Sequence, residues 1–117
     1  MATKKSKQLT LLSGDQLMDL ELEKDFQRRV EEYARLEGWH VYSVPDSRRV
    51  SLSGYPDLTM WRVLDKRLIF AELKREKGRL RPQQEVILEE LRQLGVAEVY
   101  VWRPSNWNEI LDTLRRS

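Results

Sequence analysis

Gly54-Tyr55-Pro56-Asp57-Leu58-Thr59-Met60-Trp61-Arg62-Val63-Leu64-Asp65-Lys66-Arg67-Leu68-Ile69-Phe70-Ala71-Glu72-Leu73-Lys74 is the stretch that decides the fold. Two runs rich in β-branched and aromatic residues flank a short polar break, which is the pattern of a β-hairpin. Three charged residues fall where a hairpin usually buries side chains: Asp57 at the start of the first strand, Glu72 and Lys74 near the end of the second. Charge beside a core is costly unless it is paired or bound to a cation.

Side chains alternate faces along a strand, so Glu72 and Lys74 share a face. With Asp65-Lys66 as a two-residue loop, Asp57 opposes Lys74, Thr59 opposes Glu72, and all three charges point the same way. Asp57 and Glu72 are then diagonal neighbours, roughly 7–8 Å apart at the backbone, a gap that one ion bridges. A four-residue loop keeps that parity; a three-residue loop or one bulge reverses it. The break contains no Asn-Gly or Asp-Gly pair to fix its length.

Two carboxylates and an ammonium on one face suit one kind of chemistry. Oxygen donors without His or Cys favour Mg²⁺ or Mn²⁺ over zinc. Such an ion polarises a phosphoryl oxygen and acidifies water, and a neighbouring lysine orients that water or stabilises developing charge. This is a kit for phosphodiester hydrolysis, with Asp57 and Glu72 as metal ligands and Lys74 as the catalytic amine.

Pro56-Asp57 followed by Glu72-Leu73-Lys74 resembles the PD-(D/E)XK nuclease signature. The surroundings narrow the likeness. Glu23-Lys24-Asp25-Phe26-Gln27 lies upstream, Gly54 precedes the Pro-Asp, and Arg79-Leu80-Arg81-Pro82-Gln83-Gln84 follows Lys74. This ordered set is similar to the VRR-NUC family, the virus-type replication-repair nucleases, in the small stand-alone form of phages and bacteria. The likeness covers about residues 20 to 114. It implies a restriction-endonuclease-like α/β core, DNA as substrate, cleavage of flaps or four-way junctions, a homodimer and a cytoplasmic setting. It further implies that Glu23 reaches the metal directly or through water, that the Leu73 carbonyl is a ligand, and that Gln84 supports the catalytic lysine or a water.

The rest of the chain is consistent with one soluble domain. Its 117 residues are 40% hydrophobic with four Trp, enough for a core. The net charge is only +2 although 34% of residues are charged, so basic and acidic groups must segregate if DNA is the partner. There is no cysteine, hence no disulfide or thiolate site. No run spans a membrane. Residues 1–19 read as an arm, basic at Lys4, Lys5 and Lys7, that packs partly on the domain or touches DNA or a second subunit.

From about Leu20 to Glu37 an apolar stripe at helical spacing predicts a helix stopped by Gly38. Trp39 to Val44 reads as a strand, with the lone His40 a polar strand-end residue. Residues 45–53 read as a loop carrying Arg48 and Arg49. Arg75, Lys77, Gly78, Arg79 and Arg81 form the densest basic stretch, placed to meet phosphates, although Glu76 within it suits a flexible solvated loop better. Pro82 opens a second helix ending at Gly95. Ala97 to Trp102 is a strand after a helix, the order of a βαβ crossover. Trp107, Ile110, Leu111 and Leu114 mark a last helix. The order α-β-β-β-α-β-α gives a mixed sheet of about four strands flanked by helices. Trp39, Trp61 and the arm are the candidate subunit face. Two rival readings stand beside the structure-specific nuclease: a sequence-specific restriction-type enzyme, and a non-catalytic DNA-binding module whose carboxylates pair structurally.

Overall fold

The hairpin forms, with a longer turn than the two-residue loop expected. The structure, a computed structural model, describes residues 13–44 and 51–116, with the side chains of 15–21 excepted. Strand β2 (Leu58–Arg62) pairs antiparallel with β3 (Arg67–Leu73), Leu58 opposite Ala71 and Arg62 opposite Arg67. Residues 63–66 make the turn. Asp65 closes it by accepting two bonds from Arg62, Nε to Oδ1 at 2.9 Å and Nη2 to Oδ2 at 2.7 Å. Lys66 takes the left-handed conformation at φ 55°, a role usually given to glycine or asparagine. The longer turn shifts every pairing by two residues and leaves the faces unchanged. Asp57 therefore falls opposite Glu72, one step past the Leu58–Ala71 pair, rather than opposite Lys74.

Strand β1 (His40–Ser43) pairs antiparallel with β2, and β4 (Glu98–Trp102) pairs parallel with β3. The sheet order is β1-β2-β3-β4. Helices α1 (Gly14–Leu36), α2 (Pro82–Leu94) and α3 (Trp107–Leu114) complete the chain, with a 3₁₀ turn at Pro104–Asn106. This is a mixed α/β fold with the expected element order and the expected parallel crossover from β3 through α2 to β4. No helix among the described residues is long and apolar enough to cross a membrane.

Helix α1 begins at Gly14, well before the start expected near Leu20. Residues 15–19 contain no glycine, proline or β-branched residue, and an aspartate at 15 suits the positive end of the helix dipole. Their apolar residues follow no helical period, so the stripe gives no sign of the helix this early in the chain. Of the arm expected at 1–19, residues 1–12 lie outside the described residues, as do Arg48 and Arg49.

One face of the sheet carries Leu58, Met60, Ile69, Ala71 and Trp102 into a core with Phe26, Val30 and Ala34 of α1 and Ile110 and Leu114 of α3. Trp39 is part of that core, only 3% exposed, so it cannot form a subunit face. Trp61 is 40% exposed and stacks on His40 at 5.6 Å. Trp39 is also a hub at one end of the sheet. Its Nε1 donates to the Leu114 carbonyl at 2.9 Å, and the guanidiniums of Arg62 and Arg67 lie 4.5 and 5.0 Å from its ring. Arg62 is buried and donates to the carbonyls of Glu37 (2.8 Å) and Leu114 (3.0 Å). Arg67 holds Glu98 through two bonds of 2.8 and 2.6 Å and donates to the Thr113 carbonyl at 2.9 Å. Paired, fully used guanidiniums are the form in which buried arginine is tolerable.

Candidate active site

The other end of the hairpin holds the charged cluster. Asp57 sits just before β2. Its Oδ2 accepts the backbone N–H of Leu73 at 2.8 Å, and its own carbonyl accepts Val44 N–H at 3.2 Å. The carboxylate thus ties the first strand to the end of β3. Glu72 is 1% exposed, and its Oε2 has no hydrogen-bond partner among the described residues. Burial pushes the Glu72 carboxyl up to about 9, and the hydrogen bond and charge of Asp57 push the same way; Lys74 and Arg81 pull in the opposite direction. Two carboxyls in contact, one of them buried, repel unless they share a proton or a cation. Lys74 follows β3 directly, and its N–H donates to the Trp102 carbonyl at 2.9 Å, continuing the parallel ladder. That bond fixes the backbone from which the lysine side chain springs.

Gly54 sets the approach to Asp57. Its φ is +90°, and a Cβ there would stand 2.6 Å from the Gln83 carbonyl oxygen and 3.0 Å from the Gln84 nitrogen. Only a residue without a side chain lets the Gly54 backbone press onto the first turn of α2. Pro56 is buried beyond it. The loop carrying Asp57 and the helix carrying Gln84 are therefore set against each other by one glycine.

Gln84 is buried, and its Oε1 accepts the Arg81 N–H at 2.8 Å, a cap on the opening turn of α2. One lone pair of its oxygen serves that cap, and its amide nitrogen donates in no bond that fixes it elsewhere among the described residues. From the side of α1, Glu23, Phe26 and Gln27 close a cleft of about 380 Å³ with Asp57, Glu72, Leu73, Lys74, Arg81 and Gln84. Gln27 donates to Glu31 at 2.9 Å, and Glu31 pairs with Arg35. Glu23 is exposed at the cleft.

The cleft thus gathers Glu23, Asp57, Glu72, Leu73, Lys74 and Gln84, the residues singled out as catalytic or metal-binding. Among the described residues no three His, Asp or Glu side chains are assembled as a ready metal cage, so Glu23 stands apart from the Asp57–Glu72 pair. The pair nevertheless fits a hard divalent cation, because it offers carboxyl oxygen donors and, among the described residues, an orphaned buried oxygen in one place. Of the basic residues expected at DNA, Arg81 lines this cleft, while Arg75 and Lys77 line a neighbouring pocket. Arg79 is exposed and lines neither.

Two features had no clear signal in the sequence. Arg103 donates to the carbonyls of Arg75 (2.7 Å) and Gly78 (2.6 Å). Glu76 accepts the backbone N–H of Ser105. Together they pin residues 75–78, which had read as a flexible solvated loop, to the end of β4. The Arg103-Pro104 pair signals only the stop of a strand, so its second role depends on tertiary placement.

The family model described as "VRR-NUC domain" matches residues 12–104. A solved structure, that of Hjc from Archaeoglobus fulgidus, a Holliday junction resolvase of an archaeal hyperthermophile, is similar with a TM-score of 0.46 and 19% identity. The match covers 72% of this chain and 67% of that one. No curated protein sequence matches the chain.

Proposed function

This chain belongs to the VRR-NUC family of nucleases, and on that premise we propose that it is a metal-dependent DNA endonuclease that cuts flaps or four-way junctions, acting as a homodimer. The observation that carries the reading is the meeting of Asp57 with buried Glu72, whose Oε2 has no partner among the described residues, in one cleft with Lys74.

Asp57 and Glu72 would hold Mg²⁺ or Mn²⁺, with the Leu73 carbonyl as a further donor and Glu23 contributing through water. A divalent cation supplies polarisation of the phosphoryl oxygen and a more acidic water. The chain's own groups do the rest. Asp57, anchored by the Leu73 amide, keeps its free lone pairs aimed at the cleft. Lys74 orients the attacking water and offsets charge gathering on the phosphate oxygens. Gln84 holds the lysine or that water through its amide nitrogen. Arg81 at the rim, with Arg75, Lys77, Arg79, Arg48 and Arg49, meets the phosphates on either side, where arginine forks match phosphate oxygens.

Cleavage assays with plasmid, flap and four-way-junction DNA in Mg²⁺, Mn²⁺ or EDTA test the proposal. Metal-dependent cutting of branched DNA in preference to plain duplex is the expected result. Cutting at one sequence irrespective of branching points to a restriction-type enzyme. Binding without cutting under any condition points to a non-catalytic module and ends the proposal.

A further inference from the structure

Beside the cleft lies a second, larger cavity of about 580 Å³, and the two share Glu23 and Phe26 as a common wall. Leu22 and Phe26 of α1 and Pro104 form its apolar side, and Arg29, Arg75 and Lys77 its basic side. Its acidic members are partly engaged elsewhere: Asp25 pairs with Arg28 at 3.0 Å, and Glu76 accepts the Ser105 N–H. Both walls are held in place. Helix α1 is anchored through the buried Phe26 and Val30, and the opposite wall is the segment stapled by Arg103 to the carbonyls of Arg75 and Gly78. Leu22 is 55% exposed, an apolar surface open to a ligand.

An apolar floor with Arg29, Arg75 and Lys77 on its basic side and Glu23, Asp25 and Glu76 elsewhere in its lining, one wall away from two carboxylates suited to a metal, matches a molecule with a flat apolar body and an anionic link held at that basic side. We propose that this pocket receives a single unpaired nucleotide next to the cleaved bond, its base lying against Leu22, Phe26 and Pro104 and its phosphate facing Arg29 and Lys77. The proposal rests on the nuclease reading and deepens it. In a continuous duplex every base is stacked and paired, and extruding one costs a few kcal/mol. At a flap an unpaired base is already available, and at a four-way junction the pairs flanking the strand exchange open at lower cost than pairs inside a continuous duplex. The pocket would therefore supply the preference for branched DNA that the carboxylates and Lys74 alone cannot, since they meet only phosphate.

The test uses the full chain carrying Lys74→Met in EDTA, where binding is to be read without cleavage. 2-Aminopurine is moved through each position around the branch of a flap oligonucleotide, with a fully paired duplex as control. One unpaired position should change emission on binding. Leu22→Trp, which fills the pocket, should abolish that change and weaken flap binding about tenfold, in the range of one lost base contact, while duplex binding stays within about twofold. An abasic residue at the same position should reproduce the loss. Leu22→Asp serves if the tryptophan variant fails to fold. An emission change that ignores Leu22, as when residues 1–12 or a second copy fill the pocket, overturns the proposal. So does equal weakening of flap and duplex. If the protein with Lys74 intact cuts branched DNA but no Leu22-dependent emission appears, the pocket proposal alone fails. If that emission appears and no DNA is ever cut, the nuclease reading alone fails.

Discussion

Asp57 accepts the Leu73 backbone N–H through one carboxylate oxygen at 2.8 Å, so the first residue of the acidic pair is bonded to the neighbour of the second. The bond makes the spacing of Asp57 and Glu72 a property of the backbone rather than of flexible side chains. Asp57→Asn keeps an oxygen to accept that bond and removes the charge. It should leave the fold intact and drive metal-dependent cleavage below detection, with Mg²⁺ binding lost in titration calorimetry. A variant that unfolds would instead make Asp57 a structural residue first.

Lys74→Met should lower the cleavage rate by about a hundredfold or more, the scale of losing one group that stabilises transition-state charge. Its backbone bond to Trp102 does not involve the side chain, so thermal stability should be unchanged. Single-turnover kinetics with saturating metal measures the effect; retained activity removes Lys74 from the mechanism.

The metal-free protein should lose stability as pH rises from about 5 towards 9. The Glu72 carboxyl has a folded-state pKa pushed up from 4.5 to about 9. The folded state then holds the proton more tightly than the unfolded chain, so stability is fullest below 4.5 and falls through the interval up to 9. Glu72→Gln, neutral at every pH, should flatten the profile and raise the melting temperature in EDTA at alkaline pH. Saturating Mg²⁺ should also flatten it for the unaltered chain. Melting curves across pH with and without EDTA are the measurement.

Gly54→Ala should destabilise the protein by about 2 kcal/mol or more, through a left-handed backbone and a Cβ pressed against α2. Because the strain lies between the Asp57 loop and the Gln84 helix, activity per folded molecule should fall as well. Urea denaturation read beside specific activity separates the two effects.

Arg103→Ala should free residues 75–78 and raise KM for DNA several-fold with a smaller change in kcat. Arg103→Lys should not rescue it fully, because both bonds leave one planar terminal nitrogen, Nη1, whose two hydrogens have fixed directions, whereas an ammonium on a flexible stem holds neither carbonyl in a set direction. Hydrogen exchange at residues 75–78 should accelerate in both variants.

The sequence made the element order and the shared face of the acidic pair legible, because both follow from periodicity and strand parity. It could not give the length of the hairpin turn. Asp65 is a loop residue in either turn, and the Arg62–Arg67 pairing together with its two bonds to Arg62 sets the four-residue length. A four-residue turn keeps the parity of a two-residue one, as expected, so Asp57 and Glu72 share a face and meet more directly than a diagonal pairing would allow. The start of α1 was missed because residues 15–19 carry helix propensity without a clear stripe. Glu76 was misread because its partner, the Ser105 amide, lies beyond an intervening helix and strand. Such long-range bonds leave no local trace in a chain.

The cluster of Arg62, Arg67 and Trp39 has a bearing on how this molecule tolerates its own chemistry. It fastens the sheet to the last turns of α1 and α3 at the turn end of the hairpin, while the acidic pair, with a buried Glu72 that is costly to ionise, occupies the open end. Cohesion and reactivity are thus kept at opposite poles. Losing a carboxylate relieves tension at one pole without loosening the other, so inactive variants should often be sturdier than the parent, whereas a change at Arg62 should unravel the domain before it touches a phosphate.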